Sequence, residues 1–448
     1  MIEQSRGNLL QASLLRFVRK GAWSHAGRML EKSHPADIAY VLDRVALTDR
    51  LALFALISTP EVRADVLSVL QFATRADLLA GLEPEAAGQI VRHMPVDDAA
   101  ETLRDLPEER SEEILSSLGE GAEQIESLLE YAESTAGAIM SPKLLALPED
   151  LSVESAIEHV RRYGDADASF YVYVVDERQY LVGVVSLRQL ILQPPDKLLR
   201  DFMSPDPIRV WTDTDQEEVA RIVGRYDILA VPVVEGNNRL VGVVTVDDVI
   251  DVMRQEATED ILKLAGTTTE ETTAPGFVRG AWIRFPWLVS SFVGGFGGIA
   301  LLSIFADQLS RTVQIAFFLP IILGMGGNVG NQCSTVIVRG IATGRLDVRA
   351  LPRILVHEAG TSLVLATTFA LALAGFAVLT GFGPARFPLA VALGIFCSIM
   401  IAAAVGTILP LFFSRVGVDP AVASGPLVTT STDVMGILAF SLIAVLVL

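Results

Sequence analysis

The spacing of apolar residues along this chain changes abruptly near residue 276. Before that point hydrophobic positions recur at helical and strand intervals among many charges, and beyond it they run together. Uncharged stretches occupy 285–306, 312–338, 359–385 and 387–414, and a fifth, 420–448, is interrupted only by Asp433. Each exceeds the roughly 20 residues that cross a bilayer as a helix. The pattern predicts five membrane spans within residues 276–448.

Short amphipathic segments repeat from about 33 to 130: TPEVRADVLSVL, EPEAAGQIVRHM, PVDDAAETLRDL and PEERSEEILSSL. Pro60, Pro84, Pro95 and Pro107 open successive units, near the first helical turn where a missing N–H costs least. Helices this short bury their faces only by stacking, which predicts an all-α superhelical domain over 1–130. LLRFVRKGAW reads as its first helix, and the N-terminus lacks the apolar core of a cleaved signal peptide.

Residues 131–250 contain a second repeat. IMSP at 139–142 returns as FMSP at 202–205, and YLVGVVSLRQLI at 180–191 returns as RLVGVVTVDDVI at 239–250. Each copy passes from helix through two β-rich stretches back to helix, and the pair resembles tandem CBS domains of α/β type. Such pairs often grip the ribose of an adenine nucleotide with a Ser/Thr-x-x-Asp element. Thr245 to Asp248 fits it, whereas Ser186 is followed by Gln189 where the acid would stand. Arg188, Thr245 and Asp248 are the candidate nucleotide contacts. ATP binding and a purely dimerising, relaying role both stand open.

Charge sharpens the division. From Gly276 onward there are nine Arg, no Lys and five acids, a net +4, while residues 1–275 hold 26 basic and 48 acidic residues, a net −22. Arg279, Arg284, Arg339, Arg345, Arg349, Arg353 and Arg415 fall on one side of the five spans, and only Arg311 and Arg386 on the other. The positive-inside rule then places the acidic part in the cytosol and the C-terminus outside a cell (inner) membrane. No nucleic-acid partner is expected. Cys333 and Cys397 both fall within predicted spans and read as packing residues.

Two spans carry polar stripes. Gly327, Asn331 and Thr335 recur at i, i+4 and i+8 in IILGMGGNVGNQ and the residues after it, with Asn328 and Gln332 alongside. Pro320 and the glycines of 324–330 predict a loosened helix whose carbonyls line water. In SGPLVTTSTDVMG, Thr429 and Asp433 form a second stripe. An acid at membrane depth costs about 2.5–3.5 kcal/mol and faces a pathway or a partner. With no Lys in any span and every Arg at an edge, an incoming cation is the expected partner. Gly294 and Gly298 read instead as a small-xxx-small packing contact, and Gly326 with Gly330 as the packing alternative to the pathway reading.

LGMGGNVGNQ, RFPWL and GVDPAVASGPLVTTSTDV, together with this domain order, resemble the MgtE family of magnesium channels over nearly the whole chain. The resemblance implies a helical N domain (1–130), a CBS pair (131–250), a linking helix and linker (251–275) and a five-helix pore domain (276–448). It also implies a homodimer with one pore on the two-fold axis, lined by the second and fifth spans at Gly327, Asn331 and Asp433. FAD at 305–307 departs from the Phe-Glu common in the family. Mg2+ favours oxygen ligands and keeps several waters, which suits Asp433 and Asn331. Asp97, Asp98, Asp247, Asp248, Asp251, Glu256, Glu259, Asp260 and Asp419 are the candidate regulatory carboxylates, drawn together by intracellular Mg2+ so that a helix over 251–269 closes the pore. The competing class is a proton- or sodium-coupled carrier using Asp433. An enzyme would have only His357 with Glu358, about 100° apart on a helix, and is not expected.

Overall fold

The computed structural model describes residues 2–119, 121–162, 170–269, 271, 276–307, 312–343, 346, 351–423 and 425–448. Arg311, Arg345, Arg349 and part of the 266–275 linker lie outside the described residues. Contacts divide the chain into two units, Met1–Met253 and Arg254–Leu448.

The first unit opens with α1 (Ile2–Arg19), α2 (Trp23–Leu30), α3 (Pro35–Leu42), α4 (Leu47–Ala55), α5 (Pro60–Val69), α6 (Phe72–Ala80), α7 (Pro84–Val91), α8 (Val96–Arg104), α9 (Glu108–Leu118) and α10 (Ala122–Leu129). Pro60 and Pro84 take the first helical turn, and Pro95 and Pro107 sit one residue earlier, as N-caps. Helix α3 packs on α5, α5 on α7 and α7 on α9, while α4, α6, α8 and α10 form the second row. This two-row stack is the superhelix that the periodicity predicts. Leu67, Leu78, Ile90 and Leu103 are buried along it, each contributing about 1.5–3 kcal/mol. The buried Arg75 of α6 ties neighbouring helices of the second row by hydrogen bonds to Glu101 of α8 (3.1 Å) and to Asp105 at its end (3.0 Å).

The two β repeats follow. After α11 (Ala136–Ile139), strands β1 (Ala146–Pro148), β2 (Tyr171–Val175), β3 (Leu181–Ser186) and β4 (Ser204–Pro205) form one sheet in that order, with α12 (Val153–Arg162) and α13 (Leu187–Ile191) between strands. Strands β5 (Val210–Trp211), β6 (Ala230–Glu235) and β7 (Arg239–Thr245), with α14 (Gln216–Tyr226), form the other. The antiparallel pairs β2–β3 and β6–β7 each carry a register shift at the same place, Val174/Val175 and Val233/Val234. The GVV glycines have a steric reason. A Cβ on Gly183 would lie 2.4 Å from the sulfur of Met203, and one on Gly242 2.5 Å from that of Met140. Each MSP methionine thus seats on the glycine of the other repeat.

Helix α15 runs Val246–Leu264, starting earlier and stopping sooner than the expected linking helix. The stop is a glycine matter: Gly266 sits at φ +74°, and the Thr267 N–H closes onto Leu262 O. Five long helices then follow among the described residues: α16 (Phe277–Ile304), α17 (Gln314–Ala342), α18 (Leu351–Thr380), α19 (Phe387–Arg415) and α20 (Gly425–Val447). Helices α16, α18, α19 and α20 are long and apolar enough to cross a membrane. Helix α17 falls short of that apolarity because its middle is glycine and amide side chains. Helix α19 is the centre of the bundle, packing on α17, α18 and α20.

Candidate functional site

Helix α17 is unbroken from Gln314 to Ala342, so the expected loosening at 320–330 is absent. Packing explains the glycines better than propensity does. A Cβ on Gly326 would lie 2.7 Å from Ser398 Oγ, and one on Gly330 3.0 Å from Thr432 Cγ2 and 3.3 Å from Ala402 O. Gly406 of α19 in turn would place a Cβ 2.2 Å from Gly330 O. Gly326 and Gly330 are therefore contact residues for α19 and α20. Gly294 of α16 behaves as expected, with a Cβ position 1.8 Å from Thr430 of α20. Cys333 is buried and Cys397 half-buried, both as free thiols.

The polar side chains of α17 divide into two groups. Asn331 turns to α20, its Nδ2 donating to Thr429 Oγ1 at 3.1 Å. Asn328, Gln332 and Thr335 are exposed on the outside of the single-chain bundle, although the Thr335 hydroxyl donates to Asn331 O at 2.8 Å. Gly327 is buried, where a Cβ would meet Thr429 Cγ2 at 3.9 Å. Lipid offers no hydrogen bonds, so an exposed row of amides in an apolar bundle requires water or protein against it.

Asp433 lies one turn above Thr429 on α20. It lines a cavity of about 310 Å3 with Ser291 and Gly294 of α16, Leu323 of α17, and Thr429 and Thr430. Among the described residues no hydrogen bond or ion pair reaches its carboxylate. Thr430 spends its hydroxyl elsewhere, on Pro426 O at 2.7 Å, and lies 3.1 Å from Ser291 Oγ.

Of the nine candidate regulatory carboxylates, two sets come together. In the first unit Asp98, Asp247 and Asp248 interact. Burial first, then repulsion by Glu101 and Asp247, raises the Asp98 carboxyl to about 6. Burial likewise raises Asp248 to about 7, with Asp247 and Asp98 adding to it and a hydrogen bond from Thr245 opposing it. In the second unit Glu259, Asp260 and Asp419 gather, but a cation that the sequence reading missed already stands among them. Lys263 Nζ lies 2.7 Å from Asp419 Oδ2 and also contacts Glu259. The Glu259–Lys263 spacing of i, i+4 is the signal that would have found it. Asp97, Asp251 and Glu256 have interactions of their own as well, and among the described residues no three His, Cys, Asp or Glu side chains are grouped to hold a metal.

Two of the nucleotide candidates, Thr245 and Asp248, are joined to each other. Thr245 Oγ1 donates to Asp248 Oδ2 at 2.5 Å, and Ser186 with Gln189 forms a capping box on α13. An apolar cleft of about 270 Å3 lies between the two sheets, lined by Tyr171, Tyr173, Val184, Ile208 and Ile228. None of Arg188, Thr245 and Asp248 lines it.

Comparison with known proteins fits this geometry. Residues 33–134 match the MgtE intracellular N domain, 136–194 and 199–255 match CBS domains, and 319–443 match the divalent cation transporter model MgtE. The magnesium transporter MgtE of Thermus thermophilus is 40% identical over 328 residues, 72% of either chain. This chain belongs to the MgtE family. The MgtE of Bacillus subtilis is 36% identical over 71% of each chain. Two crystal structures resemble the N-terminal part of this MgtE-family chain. The soluble part of a magnesium transporter is 33% identical with a TM-score of 0.51, covering 56% of this chain and 99% of its own. The cytosolic domain of the Mg2+ channel MgtE in complex with ATP is 36% identical with a TM-score of 0.51, covering 54% and 99%. The chain is thus a multi-pass membrane protein of a transporter family.

Proposed function

We propose that this chain forms a Mg2+-selective channel for magnesium uptake, working as a homodimer whose shared pore is closed by intracellular Mg2+. The observation that carries the reading is the pairing of an unpartnered intramembrane Asp433 with an outward-facing row of amides on α17. Two copies meeting on that row would enclose a water-filled path. Mg2+ sheds its waters reluctantly, so Asp433 and the α17 side chains would hold the hydrated ion through its water shell. An inside-negative potential supplies about 2.3 kcal/mol per charge per 100 mV, and a divalent ion gains twice that. Carriers commonly use broken helices at their sites, whereas α17 and α20 are continuous.

For regulation, the mutual repulsion of Asp98, Asp247 and Asp248 fits a bridging divalent cation. Low Mg2+ leaves these acids repelling, and high Mg2+ joins the N and CBS domains, a change carried along α15. An adenine nucleotide, as held by the related cytosolic domain, would take the apolar cleft and stack on Tyr171. The N-terminus is cytosolic and the C-terminus outside in this reading. The test is tracer Mg2+ uptake into liposomes by folded Asp433→Asn protein: uptake falls at least tenfold, and wild-type flux would refute the pathway.

A further inference from the structure

The end of α15 meets the start of α20 through two contacts that the transport reading does not use. One is the ion pair described above, in which Lys263 reaches back one turn to Glu259 and across to Asp419. Asp419 precedes α20 by a short turn, and its Oδ1 accepts the Ala421 N–H at 2.8 Å, so the carboxylate is anchored in that turn. Burial works against the Lys263 charge, but the hydrogen bonds to Asp419 and Glu259 outweigh it and raise the ammonium above its ordinary range. Asp260 stands beside them, and Arg339 from the end of α17 is close enough to act on it.

The other contact is backbone on backbone. A Cβ on Gly425, the first residue of α20, would lie 2.4 Å from Leu264 O, the last residue of α15. A Cβ on Gly266 would lie 3.0 Å from Pro426 Cγ and 3.6 Å from Trp287 Cβ. At Gly425 the neighbour is backbone, which cannot rotate away as a side chain can. Helix α20 then rises about 1.5 Å per residue through Thr429, bonded to Asn331, to Asp433.

We propose that Lys263 is a positioning residue of the ion pathway: its ammonium holds the end of α15 on Asp419, and through the Gly425 contact this sets where α20 presents Thr429 and Asp433. A second consequence rests on the Mg2+-gated reading. Divalent cations arriving at Glu259, Asp260 and Asp419 meet a resident ammonium and compete with it, so Lys263 sets the Mg2+ level at which these carboxylates bind.

Spin labels at the exposed positions Ile261 and Val416, with Cys333 and Cys397 replaced by Ala, read the junction in full-length chain diluted into unlabelled chain in liposomes. In EDTA the parent protein gives one narrow distance. Lys263→Gln reduces that docked population about fivefold, in line with the loss of a partly screened ion pair. Lys263→Arg retains it, and Gly425→Ala shifts it with Lys263 intact. In an Mg2+ titration Lys263→Gln recovers the docked distance at lower Mg2+ than the parent needs to change. An unchanged EDTA distance in Lys263→Gln overturns the clasp. Loss in EDTA with no response to Mg2+ in any variant supports the clasp and removes the Mg2+-gated reading instead.

Discussion

Asn331 illustrates how much a single side chain's role depends on its neighbour. Its amide links α17 to α20 through Thr429, so in the channel reading its effect on an ion would begin with the spacing of two helices. Asn331→Ala and Thr429→Val should each relax the preference for Mg2+ over Na+ and Ca2+ in patch-clamp recordings. Because they break one shared interaction, the double variant should be no more permissive than the worse single one. Fully additive effects would mean that each touches the ion on its own. The stripe itself was legible from i, i+4 spacing and from the absence of charge. The Asn331–Thr429 bond was not, because spacing along one helix leaves its rotation against another undetermined. Lys263 was legible only in its helical half: the Glu259 partner follows from sequence, the Asp419 partner 156 residues away does not.

At the scale of helices, propensity and packing give opposite readings of glycine. Judged by propensity, the glycines of 324–330 weaken a helix; in the bundle Gly326 and Gly330 let α17 approach α19 and α20, and the helix stays whole. At Gly294 the packing expectation holds, since Thr430 lies where a Cβ would go. Gly406→Ala should therefore be costly, since its Cβ meets the Gly330 backbone, which cannot rotate away. Overpacking of this kind costs about 1–3 kcal/mol, visible as a Tm lowered by several degrees in detergent. Gly375→Ala on α18, with nothing within 4 Å of the added carbon, is the control and should leave Tm in place or raise it. Equal Tm values for the two variants would show that the α17–α19 contact gives way easily. Helix existence followed from hydropathy throughout, whereas the end of α15 depended on one positive-φ glycine.

For the molecule as a whole, acidity is a source of stored repulsion in the first unit. Asp98 at about 6 and Asp248 at about 7 lie above the ordinary 3.8, so folding favours their protonated forms. The stabilisation is complete below the unfolded pKa and is lost as pH rises through 6 to 7. Unfolding of the first unit should therefore move to lower temperature between pH 5 and pH 8. Millimolar Mg2+ should reverse the loss at pH 8, and Asp98→Asn should flatten both responses. A Tm that ignores pH and Mg2+ alike would leave the carboxylates as solvated faces. The domain order was legible because each part has its own periodicity, helical, alternating or continuous. The exchange between the two β repeats was not legible, since a repeat does not reveal which copy completes which sheet. That exchange ties the history of the two halves together. Met140 emerges from the ribosome about a hundred residues before the glycine that seats it, so the first half waits, incomplete, for the second. A mutation at Gly242 is felt through a residue of the other copy. A substitution in either copy has to suit a residue of the other.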